Sequence, residues 1–336
     1  MTKSDLKVIV PDVLWTKALL DGTVKVDGFD VSFMPVDSSP QASMRLRGRL
    51  EEEFAGGEQV LPDYLVRLAR GVGQRLVCLP VFLTRGMVHR KLIMRRNDLS
   101  PQELNGRAIG VSRLLAATSV FLRGMLTDDW GIDPKKIRWV ASESFTSDDS
   151  MGKEWPCMVK RLQIKAWELL PKLVQGELDA VLYPGGGGGQ WFHWLAEGSM
   201  GGSSSHYGDL EGMMTQFPTL WFPLGDRESH VQWFKRHRMY PLFHVICIQE
   251  KIAREMPGFA EALTAAFARA EKEAVRAMKP EEKRLWEEEK KILGDDPNGC
   301  ELNSLRIRTI ERLIDYLDRD GLLPRPLTIQ AVFPKR

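Results

Sequence analysis

Short β-branched runs alternate with helix-length patterns along most of this chain, and that alternation constrains its fold more than any other feature. LKVIV (6–10) precedes the helix-like LWTKALLDG, and FDVSFMPV (29–36) then alternates as a half-buried strand does. A helix within 60–72, the apolar RLVCLPVFL (75–83) and a strand-like MVHRKLIMR (87–95) follow. After a capped turn ending at Gly106, RAIGV (107–111) opens a second series: a helix over 114–132, the strand IRWVAS (137–142), and a helix feeding the strand LDAVLYP (178–184). Such alternation predicts α/β architecture with parallel sheets covered by helices. The tail differs, because Phe259, Leu263, Phe267, Ala270, Ala274 and Met278 recur at helical spacing. Pro280 interrupts, a charged helix spans 281–292, and Ile310, Leu313, Ile314 and Leu317 form a further stripe closed by Gly321.

Charge and apolar content narrow the function classes. Forty-seven Lys and Arg against 45 Asp and Glu leave a net charge of +2, too balanced for the positive field that nucleic acid demands. No stretch has ~18 consecutive apolar residues, and the opening MTKSDLKVIVPDVLW lacks a signal-like apolar core. The expectation is a cytoplasmic protein with no nucleic-acid or membrane partner; self-association into a homo-oligomer stays open. Cys78, Cys157, Cys247 and Cys300 have no metal-ligand spacing and read as free thiols. The five glycines Gly185 to Gly189 do not form a nucleotide loop, since Gln190, Trp191 and Phe192 stand where Lys and Ser or Thr are needed. Two readings remain for the strand end at Tyr183 and Gly185: bare N–H groups that approach a carboxylate, or a plain connector.

Four segments carry a resemblance. The start KVIVPDVLWTKALLDGTVKVDGFDVSFMPV, then LPVFLTRGMVHRKLIM (79–94), GVSRLLAATSVFLRGML (110–126) and YPLFHVICI (240–248) are similar, in order, to segments of the 4,5-dihydroxyphthalate decarboxylase family. The resemblance implies a type II periplasmic-binding-protein-like fold: two α/β lobes, a double crossover, and a ligand cleft at the hinge. On that template 1–96 and 243–336 form the first lobe and 97–242 the second. Two departures bear on the substrate: the glycine run replaces a family arginine, and GGEQVLPDY (56–64) replaces a Ser-rich stretch. Glu58 there would disfavour a second substrate carboxylate nearby.

The candidate catalytic residues are Arg85, His89 and His244. Four residues apart in a strand, Arg85 and His89 would share a face. Alone they read as a surface strand face; matched to the family's R-x-x-x-H segment they read as a cleft pair, with Arg85 gripping a carboxylate. His244, a core histidine on its own merits, faces the cleft by resemblance. Arg90 and Lys91 read as solvated charges, and His230 and His237 as structural. Ser112, at the turn into a helix, is a candidate carboxylate contact; Thr118 lies deeper in that helix, and Arg123 either reaches substrate or pairs with Asp128 or Asp129.

Decarboxylation of a hydroxylated aromatic acid needs a proton for the ring carbon, a base for the phenol and a cationic anchor. The resemblance thus implies a decarboxylase acting on a small aromatic carboxylate without an organic cofactor; a divalent metal held by histidine and substrate oxygens is compatible but not demanded. The rival reading is a solute-binding or sensor protein for an aromatic or other small carboxylate, without catalysis.

Overall fold

A computed structural model describes residues 6–36, 54–71, 76–95, 99–142, 159–183, 215–294 and 296–334. Two sheets organise them. Strands β1 (Leu6–Pro11), β2 (Val31–Val36), β3 (Gly56–Val60), β4 (Leu76–Cys78) and, far along the chain, β11 (His244–Gln249) form the first, in the order β2-β1-β3-β11-β4. The second contains β5 (Leu92–Arg95), β6 (Ala108–Val111), β7 (Arg138–Ser142), β8 (Val159–Leu162), β9 (Ala180–Leu182) and β10 (Leu220–Trp221), in the order β10-β5-β9-β6-β7-β8. The strands β6 and β9 are fully buried and β1 and β11 nearly so, as expected when helices cover both faces, whereas β2 is a half-exposed edge strand.

The sheets are mixed rather than parallel. β1 pairs in parallel with β2 and β3, but β11 runs antiparallel to β3 and β4. In the second sheet β5 runs antiparallel to β9 and β10, while β6, β7, β8 and β9 are parallel. Each antiparallel insertion lies beside a crossing between lobes. The chain leaves the first sheet after Cys78 and enters the second at Leu92, so the first crossing precedes the limit expected at residue 96. It returns just before His244. The two crossings touch: Arg85 and Leu242 form an antiparallel bridge, Gly86 N–H donates to Pro241 O at 3.0 Å, and Phe243 N–H donates to Thr84 O at 2.9 Å.

Among the helices, α1 (Lys17–Leu20), α2 (Leu61–Arg70), α3 (Ala117–Trp130), α4 (Leu169–Gln175), α5 (Arg227–His237) and α6 (Glu250–Glu255) accompany the strands. The tail forms α7 (Phe259–Ala277), α8 (Pro280–Leu293) and α9 (Ser304–Arg319). The stripe through Phe259, Leu263, Phe267 and Ala270 buries α7 against β1, Ile246, Ile248, Val81 and Leu83 on one face of the first sheet. On the other face, α2 joins α3, α9 and residues of both sheets in one continuous apolar core. Contacts of α9 with both α2 and α3 mean that the tail does not belong to the first lobe alone. The α9–α3 seam is close because Gly124 has no side chain: a Cβ there would overlap the ring of Tyr316. Asp128 of α3 accepts hydrogen bonds from Arg312, Tyr316 and Arg319 of α9 at 2.7–2.9 Å. Among the described residues no helix is long and apolar enough to cross a membrane.

Candidate functional site at the lobe crossing

Alternation along β11 decides which side chains meet. Val245 and Cys247 enter the core shared with α2, whereas Ile246 and Ile248 face α7. His244, two residues before Ile246, therefore points to the α7 side, and so does Glu58, the direct partner of Ile246 on β3. The carboxyl group of Glu58 is fully buried on this face. Its Oε1 lies 3.5 Å from His244 Nδ1 and accepts from the Thr84 hydroxyl at 3.4 Å. Its Oε2 has no hydrogen-bond partner among the described residues, and neither does His244 Nδ1. A buried acid with an unmade bond beside an imidazole is costly for folding, by several kcal/mol if charged, and that makes the pair the candidate site.

Arg85 occupies the same side of the first lobe. One guanidinium nitrogen donates to Phe82 O, the group sits 5.4 Å from the centre of the Trp15 ring, and Nη2 is 3.7 Å from Glu271 Oε1 on α7. Burial pushes the Glu271 carboxyl up to about 7, with Arg85 opposing the rise. Glu271 Oε2 accepts from Cys300 Sγ at 3.3 Å. The sequence held one signal for Glu271: it stands four residues after Phe267 and three before Ala274, on the apolar stripe.

His89 is not with them. Residues His89–Lys91 form a turn of 3-10 helix instead of continuing a strand, and β5 begins only at Leu92. That turn sends the buried His89 ring into the second lobe, 4.7 Å from His230 and edge-on to Trp233 at 5.3 Å, both on α5. Burial, then the neighbouring His230 and His237, hold the His89 pKa well below the usual range, so the ring is neutral at pH 7. Lys91, expected in solvent, is buried too, and desolvation followed by Arg90 lowers it to about 7. Arg90 lies over the Phe222 ring at 5.0 Å.

The substrate-contact candidates scatter. Ser112 is buried at the end of β6, but α3 starts five residues later at Ala117, so Ser112 is not on its first turn. Thr118 is on that first turn, partly exposed, rather than deep in the helix. Arg123 departs from the expectation: its Nε and Nη2 donate to Asp320 at 3.2 and 2.8 Å while Nη1 donates to Leu114 O at 2.8 Å. Asp129 instead takes Arg236 and His237. Tyr183 is buried in the second lobe's apolar core, its N–H donating to Lys91 O at 2.8 Å. Gly185 and the rest of the glycine run lie outside the described residues. Cys78 and Cys247 are free, buried and 3.4 Å apart across β4 and β11. Among the described residues, no three or more His, Cys, Asp or Glu side chains gather as a metal-ligand set.

The fold is that of the type II periplasmic-binding-protein-like class. The sulphonate-binding protein SsuA from Escherichia coli superposes with a TM-score of 0.57 at 12% identity, covering 98% of this chain and 92% of that one. SsuA from Xanthomonas axonopodis pv. citri bound to MOPS gives 0.52 at 12% identity over 98% of each chain. The desulfurization enzyme DSZB gives 0.51 at 15% identity, covering 98% of this chain and 97% of that one. No family model matches the sequence. Within that class, the chain is similar to the 4,5-dihydroxyphthalate decarboxylase of Comamonas testosteroni, 24% identical over 282 residues, or 80% of this chain and 74% of that protein. The 4,5-dihydroxyphthalate decarboxylase of Pseudomonas putida is 29% identical over 189 residues, 55% of this chain and 72% of that one. The resemblance first carried by four short segments thus extends along most of the chain.

Proposed function

We propose that this protein is a carboxy-lyase that removes CO₂ from a hydroxylated aromatic carboxylic acid bound at the lobe crossing, using its own side chains and no organic cofactor. The observation that carries this reading is the buried Glu58–His244 pair at the crossing, in a chain whose relatives are named decarboxylases. The Glu58 carboxyl, bonded to Thr84, faces the Nδ1 side of His244 at 3.5 Å, and Nε2 is the nitrogen that meets substrate. Arg85 supplies positive charge on the same side for a carboxylate. As the C–CO₂ bond breaks, its electron pair passes to the ring carbon, which takes a proton from His244; a hydroxyl para to that carbon feeds electron density into the ring. His244 is re-protonated from solvent. His89 forms part of the second-lobe wall.

The test is His244→Gln. Ligand binding should persist while CO₂ release falls within the 10²–10⁴ range that acid–base groups contribute. Unchanged turnover would remove His244 from the mechanism. Solute-binding relatives of the same fold favour a second reading, a binder of aromatic or other small carboxylates. Ligands found by thermal shift among hydroxylated benzoates and phthalates decide between them: binding without CO₂ release selects the binder.

A further inference from the structure

Arg85 and Glu271 form an incomplete ion pair. At 3.7 Å the closest N···O approach is beyond hydrogen-bond range, and Arg85 Nη2, buried, has no hydrogen-bond partner among the described residues. Glu271 is itself nearly buried, and its second oxygen is turned to the Cys300 thiol. The other charged groups facing this pair come from every neighbouring element. Asp296 and Arg306 approach Glu271 from the segment between α8 and α9 and from α9 itself. Arg306 is engaged with the Asp296 and Glu301 carbonyls. Tyr240, which feels Arg85, donates to Glu289 of α8.

A second anion reaching Arg85 would put two carboxylates on one guanidinium in a site of low dielectric, which is unfavourable unless one is neutralised. We infer that a substrate carboxylate displaces Glu271 from Arg85, and that Glu271 takes up a proton as it is displaced. The inference rests on the reading of Arg85 as the anion grip. Glu271 is a positioning residue in this account: it keeps the guanidinium in place in the empty site and withdraws its charge when the ligand arrives. The carboxyl's rise to about 7 places the exchange in the physiological range. A carboxyl poised near neutrality is partly ionised at pH 7 and more so at pH 8. Binding should therefore take up protons, up to one per ligand, with a larger uptake at pH 8 than at pH 7. By linkage, affinity should fall across that unit, by at most about tenfold.

The probe is phthalate, which lacks the ring hydroxyl that drives turnover. Titration calorimetry of the full chain in phosphate and in Tris, at pH 7 and 8, counts the protons. In Glu271→Gln the uptake should vanish, the affinity should lose its pH dependence, and binding at pH 8 should be tighter than in the wild type. Wild-type binding without proton uptake overturns the inference whether or not the variant folds, and so does uptake that survives in Glu271→Gln. Failure of the wild type to bind either phthalate or benzoate, which carries a single carboxylate, or an Arg85→Gln variant that binds the ligand as the wild type does, overturns the reading of Arg85 and the inference with it.

Discussion

Replacing Asp320 with Asn separates a structural role for Arg123 from a substrate-binding one. The Arg123 guanidinium is 1% exposed and directs Nε and Nη2 to one oxygen of Asp320 and Nη1 to the Leu114 carbonyl. Removing only the negative charge breaks a buried ion pair between α3 and α9 and leaves the Arg123 cation desolvated, a loss of about 3–5 kcal/mol. In a chain of this size each kcal/mol moves the melting temperature by roughly 2 °C, so a fall of roughly 6–10 °C is expected. Arg123→Met should cost a comparable amount because it strands the Asp320 carboxyl. The double change Arg123→Met/Asp320→Leu removes both charges and should recover most of the loss, giving a large coupling in the mutant cycle. Thermal unfolding reads the stability, and calorimetric titration with phthalate reads binding, which should be unaltered in the double variant. If Arg123→Met instead abolishes binding and leaves the melting temperature unchanged, Arg123 touches the ligand and the assignment to the helix seam is wrong.

Three further outcomes follow from the same structure. Gly124→Ala should destabilise by up to about 2 kcal/mol in urea unfolding, the roughly 1–3 kcal/mol cost of overlap with Tyr316 less the roughly 1 kcal/mol that alanine contributes in a helix; a more stable variant would show that the seam yields to the methyl group. Glu58→Gln should lower kcat by 10²–10⁴ with little change in KM, because it disturbs the orientation of His244 rather than the anion grip; equal loss in both constants would place Glu58 in direct contact with substrate. His89 binds its proton more weakly in the folded chain than in the unfolded one, so below about pH 6.5 the unfolded state holds more protons and stability falls with acidification, by up to about 1.4 kcal/mol per pH unit. His89→Leu should flatten that limb between pH 6.5 and 5.5, and an unaltered slope in urea melts would assign it to other groups.

The α/β class was legible because long apolar alternation survives any local detail, and the helices of the tail appear where their stripes end. Strand direction was not: a run such as HVICI reads the same in either orientation, and only the crossing before His244 sets β11 antiparallel. Spacing misled at Arg85 and His89, where four residues imply a shared face only if the backbone stays extended. The turn at His89–Lys91 breaks that condition and separates the two side chains between lobes. Lys91 looked solvated because nothing in its neighbours announces burial. Arg123 finds its counter-ion 197 residues away, a pairing that no local pattern encodes, whereas Glu271 could have been noticed as a charge standing on an apolar stripe.

The core that α2, α3 and α9 share lies on the face of the first sheet opposite Glu58 and His244. This molecule consequently has a stiff spine. Any widening of the angle between the lobes has to shear that apolar joint and part the Asp128 and Asp320 ion pairs that cross it.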